Sequence, residues 1–499
     1  MSGRGPGFPV AAGLAALSAI MMGVAMPGID VPLIGWVALV ALFYALFTAN
    51  PRHIRAITIT FGVLFSAIVH RWYPDVVSPI WGYPMIIGVG LFYAAVLRLG
   101  RWLTLPLPQP AALLALPVSW AAIEFLKFIT PVLEDWWFVM LPASQWRFPP
   151  ALQVLSVTGF PGLSVMILLV NLGLAALLIN LTGRKRLAGS RAALAAVAGP
   201  LLIIGLGYAT IAPPRDTFKI AVITDMIGLD PEIQAMDEFA GTLAPSPALS
   251  QRIFAIDAAL TRAVADQSPA FVVWPENEFT DIENLQMMGR LKALARETSA
   301  YIAADTTWNA PAGLFDTAVL ITPDGREALR RAKINIVPDE ARAGFSPGPH
   351  RFPVHLSSHG RVSVAVCWDI HRLWIMRELA RAGAQIVLLP MDNDFDGNRA
   401  FAPFHSANTV FRAVENRMTF GLGTVSGASM VIDPYGRITA QAPINIRSSI
   451  AGETFVVQAN TLYQTYGDWF GWLLVVALLA MLVTARRLKA DERTAAQVP

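Results

Sequence analysis

The sequence predicts a polytopic α-helical membrane domain of about eight spans, with a layered α/β domain inserted before the last span. Three observations carry this reading. The first 212 residues are successive apolar runs broken by Pro, Gly and charge. From about residue 217 to 460 charge returns, and short β-rich runs alternate with helical ones. A further apolar run then follows at 469–485. The composition agrees: 55% of residues are hydrophobic and 15% charged, against ~25% charged in soluble domains. The 14 tryptophans suit the headgroup belts of a membrane protein.

Seven apolar runs precede the α/β region, at about 10–27, 32–49, 56–71, 78–97, 110–128, 155–181 and 192–212. Each approaches the ~20 residues that cross hydrocarbon. The expected boundaries are 1–214 for the first membrane part, 215–462 for the α/β domain and 463–499 for the last span and its tail. Cationic residues cluster at alternate ends of the spans. One set holds Arg4, Arg52, Arg55, Arg98, Arg101, Arg184, Lys185, Arg186, Arg191, Arg486, Arg487, Lys489 and Arg493; the other holds little beyond Arg71, Lys127 and Arg147. The positive-inside rule places the first set, and both termini, in the cytoplasm. An odd number of spans then puts the α/β domain on the opposite side, which in a bacterium is the periplasm. Trp136, Trp137 and Trp146, between the fifth and sixth spans, are expected to lie exposed at that interface.

Within the α/β region, "FKIAVIT" (218–224) and "PAFVVWPE" (269–276) read as buried strands, and 250–266 and 284–299 as amphipathic helices. A strand follows at 300–308. The run 317–334 reads as a hairpin turning at Asp324-Gly325. "RVSVAVCWDI" (361–370) is a strand running into a turn, followed by a helix at 373–384 and a strand at 385–390. A helix at 407–418 and a second hairpin at 426–442 complete the pattern. Alternation of this kind gives a layered α/β fold.

Cys367 is the only cysteine, so an internal disulfide and a Cys-rich zinc site are both excluded. A free Cys is most often a small buried hydrophobe. Two other strand ends argue for a reactive one. "VVWPE" ends on Glu276, and the hairpin at 317–334 ends on Lys333, with Glu340 seven residues further on. A thiol needs a base, which Glu276 offers. A tetrahedral oxyanion needs donors, which Lys333 and the backbone N–H of Trp368 offer. Glu340 is placed to orient the lysine. His350, His355 and His359 lie in a Pro/Ser/Gly-rich stretch and read as loop histidines rather than metal ligands. The net charge of +3 gives no reason to expect a nucleic-acid partner.

"WPE", "K-x-x-x-V-P-x-E" and "V-C-W-D" resemble the three signatures of the nitrilase superfamily, in that order. The resemblance implies a four-layer α-β-β-α sandwich and a catalytic triad of Glu276, Lys333 and Cys367, supported by Glu340, Trp368 and Asp369. "SWAAIEFLK" (119–127) and the stretch 144–171 resemble the membrane half of the apolipoprotein N-acyltransferase family, which joins such a domain to a membrane anchor. Asn393, Asp394, Phe395 and His405 occupy positions that line substrate in that family. The chain departs from the family at Thr224-Asp225-Met226, where Gln-Gly-Asn is usual, and in the 393–397 loop, which has no Trp.

The resemblance implies a monomer of the bacterial inner membrane that needs no metal or cofactor. It implies a phospholipid acyl donor, a Cys367 thioester, and the N-terminal amine of a diacylglyceryl-cysteine lipoprotein as acceptor. The rival readings are a membrane-anchored amidase, an N-acyltransferase with another amine acceptor, and a transporter or scaffold using Glu124 and Lys127 as a polar path.

Overall fold

A computed structural model describes residues 6–109, 111–131, 133, 139–182, 187–236, 246–277, 279–394 and 398–495. Arg4, Trp136, Trp137, Arg184, Lys185, Arg186 and Phe395 lie outside the described residues. The chain divides into two compact units. One comprises residues 1–211 with 468–499, the other residues 212–467.

The first unit is helical. Among the described residues, seven helices are long and apolar enough to cross a membrane: Phe8–Ala25, Pro51–Val69, Pro79–Thr104, Ala111–Ile129, Phe160–Leu181, Ser190–Thr210 and Trp469–Asp491. The span expected at 32–49 is present as a shorter, broken apolar stretch, Pro32–Thr48, which makes seven apolar helical segments before residue 212 among the described residues. It is a 3-10 turn, Pro32–Trp36, followed after a break by a nine-residue helix, Val40–Thr48. That helix rises only about 14 Å. Freed backbone groups at such a break must find partners inside the protein. Asn171 supplies two: its Oδ1 accepts from Leu39 N–H at 2.7 Å, and its Nδ2 donates to the Gly35 carbonyl at 3.0 Å.

Glu124 and Lys127 are tethers rather than a polar path. The Glu124 carboxylate accepts from the Leu141 N–H at 2.7 Å and the Ser164 hydroxyl at 2.5 Å, and Lys127 donates to the Val139 carbonyl at 2.5 Å. They hold the 139–141 segment against two helices, and neither carboxylate oxygen is free to carry a solute. Trp146 also departs from expectation. It is 1% exposed, with its Nε1 donating to Asp30 at 2.6 Å and the Arg147 guanidinium over its ring.

The second unit is built on two six-stranded sheets. In chain order the strands are β1 (Phe218–Thr224), β2 (Phe271–Val273), β3 (Tyr301–Ala310), β4 (Gly313–Ile321), β5 (Glu327–Ala332), β6 (His355–Ser357), β7 (Gly360–Val364), β8 (Ile386–Met391), β9 (Thr419–Thr424), β10 (Met430–Ile432), β11 (Ile438–Gln441) and β12 (Ser448–Thr454). One sheet runs β12-β1-β2-β3-β4-β5 and the other β11-β10-β9-β8-β7-β6. The central strands are parallel: β1 with β2, β2 with β3, β7 with β8 and β8 with β9. They are buried on both faces, as parallel strands require.

Helices Pro247–Ala263 and Leu285–Thr298 cover the first sheet through Leu249, Ile253, Met287 and Leu291. Helix Phe401–Asn416 packs on β9 and β10. The sheets meet face to face across glycines: a Cβ on Gly421 would come within 2.6 Å of Ile220, and one on Gly423 within 2.5 Å of the Val273 carbonyl. The result is the expected α-β-β-α sandwich.

Three details differ from the sequence reading. The strand at 300–308 extends to Ala310 and turns directly into β4, which makes a long β3–β4 hairpin. The helix expected at 407–418 begins earlier, at Phe401. Strand β12, unpredicted, closes the edge of β1 with antiparallel pairing from Phe218↔Thr454 to Thr224↔Ser448.

Candidate active site

Three strand ends deliver the central residues: two close the parallel strands β2 and β7, where reactive groups collect, and one closes the antiparallel edge strand β5. Glu276 follows β2 after Pro275, which cannot donate to a ladder and so ends the strand. Lys333 follows β5, and its N–H donates to the Asp316 carbonyl across the hairpin at 2.8 Å. Cys367 follows β7 and opens a 3-10 turn, Cys367–His371. Its φ of +38° is left-handed, a strained backbone for a residue with a Cβ.

Lys333 is fully buried among carboxylates. Its Nζ lies 2.5 Å from Glu276 Oε1 and 3.3 Å from Asp316 Oδ2, and also donates to Glu340 Oε1. Burial disfavours the ammonium, but Glu276, Glu340, Cys367 and Asp316 together outweigh it and hold the lysine protonated, well above its ordinary range. The second Glu276 oxygen accepts from the Asp392 N–H at 2.8 Å. The second Glu340 oxygen accepts from the Val337 N–H at 3.1 Å, which satisfies the N-cap N–H of the helix Pro338–Arg342.

Cys367 is 2% exposed and its Sγ lies 3.8 Å from the Asp392 carbonyl. Burial, then the charge of Glu276 and its hydrogen bond to the thiol, push the thiol well above its ordinary value, with Lys333 opposing. The resting group is therefore a thiol. Its neighbours include the Glu276 carboxylate, and the Lys333 ammonium is placed to stabilise the anion once the proton leaves.

Asp369 is wholly buried and does not reach the thiol. Its Oδ1 accepts from the Ile334 and Asn335 N–H groups at 3.0 and 2.9 Å, and its Oδ2 pairs with Arg331 at 2.6 Å. It binds the nucleophile turn to the segment that follows Lys333. Asn335 reinforces this by donating to the Trp368 carbonyl at 2.8 Å.

The expected lining residues divide. Asn393 is buried and structural: its Nδ2 donates to the Gly427 carbonyl at 3.1 Å, and its Oδ1 meets His405 Nδ1 at 2.7 Å. His405 stacks on His371 with ring centres 4.8 Å apart, and both rings tilt against Trp368. Asp394 packs on the loop after β1, where a Cβ on Gly228 would come 2.0 Å from its Oδ2. His350, His355 and His359 do not meet; they lie against Trp374, Tyr301 and Phe218 respectively.

Burial, with Lys333 adding to it, lowers His405 to about 3, and burial, His405 and Arg412 lower His371 well below its ordinary value. A depressed folded-state value means that the unfolded chain takes up protons that the folded chain refuses. The stability present above pH 6.5 is thus lost as pH falls from there toward about 3. Each histidine contributes a slope of about 1.4 kcal/mol per pH unit in that window. A His405→Gln variant should show a shallower loss of melting temperature between pH 6.5 and 5 than the native chain; an unchanged slope would remove this term.

Two groups escaped the sequence reading. Asp316 and Asp305 sit on the same face of the β3–β4 hairpin, in register positions Thr307↔Asp316 and Asp305↔Ala318. Asn277 donates to both Asp225 at 2.9 Å and Asp257 at 3.1 Å. "LFDTAV" and "AADTTW" carry the first pair as the one charged residue of each β run, a signal visible only once the hairpin partner is known.

Comparison with known proteins follows these two units. The carbon-nitrogen hydrolase family matches residues 258–452, and the apolipoprotein N-acyltransferase N-terminal domain matches residues 18–173. A protein of Geobacter metallireducens named apolipoprotein N-acyltransferase is 26% identical, over 96% of this chain and 95% of its own. One of Treponema pallidum named apolipoprotein N-acyltransferase 2 is 25% identical, again over 96% and 95%. An (R)-stereoselective amidase of a Pseudomonas species is 34% identical, over 26% of this chain and 48% of its own.

Proposed function

The chain belongs to the apolipoprotein N-acyltransferase family, and on that premise we propose that it transfers an acyl chain from a phospholipid to a lipoprotein amine through Cys367. The observation that carries the reading is the convergence of Glu276, Lys333 and Glu340 beside the single thiol.

In the first half-reaction Glu276 takes the Cys367 proton, and Sγ attacks the ester carbonyl carbon of the phospholipid. The oxyanion accepts from Lys333 Nζ and the Trp368 N–H. Its collapse breaks the ester C–O bond, the Glu276 proton passes to the leaving oxygen, and a lysophospholipid departs. A thioester remains. In the second half-reaction the α-amine of a diacylglyceryl-cysteine attacks that carbonyl and gives its proton to Glu276. The C–S bond breaks, and the thiolate recovers the proton as the amide product leaves. Lys333 stays protonated throughout, consistent with its carboxylate surround.

The charge asymmetry of the span ends supports an inner-membrane protein with the catalytic unit in the periplasm. The test is purified protein given phospholipid and either a diacylglyceryl-cysteine peptide or a simple amide. Phospholipid-dependent N-acylation of the peptide is expected. Amide hydrolysis without lipid-dependent acylation would replace the proposal with the amidase reading.

A further inference from the structure

Lys333 is outnumbered. Its ammonium faces carboxyls from three elements: Glu276 after β2, Glu340 in the helix Pro338–Arg342, and Asp316 in β4. One oxygen from each lies within 4.8 Å of the others. Cys367 borders the same group from the end of β7, and Asp305 of β3 is the diagonal neighbour of Asp316 on the same face of the hairpin. The neighbouring buried cation, Arg331 of β5, is engaged by Asp369. With its four carboxyls ionised, this largely buried cluster would set four negative charges against one positive charge, at a cost of several kcal/mol. Geometry offers the remedy. Asp316 is wholly buried, and apart from the Lys333 ammonium at 3.3 Å neither of its oxygens has a donor among the described residues; a carboxyl so placed favours its protonated form, and its same-face neighbour Asp305 can accept a hydrogen bond from that proton.

We propose that the Asp305–Asp316 pair holds a proton at neutral pH, which makes Asp316 a positioning residue: uncharged, it seats one N–H of Lys333 without cancelling the field of the ammonium at Cys367. The inference rests on the reading of Cys367 as nucleophile and Lys333 as its cation. Burial pushes the Asp316 carboxyl up to about 8, with Lys333 opposing and Glu276 and Glu340 reinforcing. Above that pH a second negative charge competes for Lys333. Thiolate and oxyanion then lose stabilisation, and acyl transfer falls.

Cys367 is the only thiol, so iodoacetamide alkylation of the full chain in detergent reports on it alone and needs no lipid. Alkylation and acyl-transfer rates should be followed against pH in the native chain, Asp316→Asn and Asp305→Asn. Asp316→Asn keeps the shape but cannot ionise. Its thiol titration should move down by about one pH unit, roughly a tenfold gain in thiolate at fixed alkaline pH. Its alkaline fall in transfer, centred near 8 in the native chain, should move up. Asp305→Asn gives Asp316 an N–H donor that favours its ionised form, so the fall should move down. Opposite displacements cannot arise from misfolding. Profiles that coincide with the native one, or that move in the same direction, overturn the proposal. Alkylation that shifts as stated in a protein with no acyl transfer at any pH upholds this inference and removes the proposed function instead.

Discussion

Replacing Lys333 by methionine should abolish acyl transfer and also weaken the fold. The two effects have one cause. Among the described residues, Nζ is the one cation shared by Glu276, Glu340 and Asp316, and it is itself fully buried. Methionine fills a similar volume but leaves the carboxyls facing one another. Breaking a buried pair from one side costs about 3–5 kcal/mol. Loss of an oxyanion donor adds a rate loss of about a hundredfold to a thousandfold. The pH dependence distinguishes this from simple cavity damage. Crowded carboxyls bind protons more tightly in the folded chain than in the unfolded chain, so the stability lost at neutral pH should return as pH falls. Denaturant melts of Lys333→Met at pH 5 and pH 8 should differ far more than those of the native chain. Equal deficits at both values would mean that the carboxyls are not held together by this ammonium.

The second large effect belongs to Asp369, a residue that never touches the thiol. Asp369→Ala strands Arg331 without its partner at 2.6 Å and removes the acceptor of the Ile334 and Asn335 N–H groups. Both side chains are buried, so the expected cost is again about 3–5 kcal/mol. Function should suffer beyond the stability loss, because this carboxylate fixes the turn that carries Cys367 to the backbone that carries Lys333. Asp369→Asn keeps an acceptor for the N–H groups but surrenders the charge, and should fall between alanine and the native residue. A melting temperature for Asp369→Ala within a degree or two of native would contradict the packing account.

Much of the site was legible in the sequence because its residues stand at ends of strands. Pro275 before Glu276, the hairpin before Lys333 and the buried run before Cys367 all mark where regular pairing stops. The supporting carboxylates were harder to read. Asp316 and Asp305 acquire meaning only from the β3–β4 register, and a single polar residue in a strand looks the same whether it faces solvent or an ammonium. Asn393 and His405 are expected to line substrate only through the family resemblance, not through any local pattern. Their hydrogen bonds to one another and to Gly427 show them bracing that loop. The pairing of β1 with β12 joins residues 218–224 to 448–454, a separation at which no local pattern speaks. In the helical unit the break after Trp36 had local signals, Pro32 and Gly35. What makes it tolerable is Asn171, which belongs to a helix far along the chain.

The central claim is that Cys367 carries the acyl chain. Intact mass spectrometry of the full chain, incubated in detergent with a phospholipid of one defined acyl composition and no amine acceptor, tests it most directly. The account predicts a single added acyl group, located on the peptide bearing Cys367, released by hydroxylamine at neutral pH and absent from Cys367→Ala. An acylated lipoprotein formed by Cys367→Ala, or an adduct on any other residue that turns over with the acceptor, would contradict it.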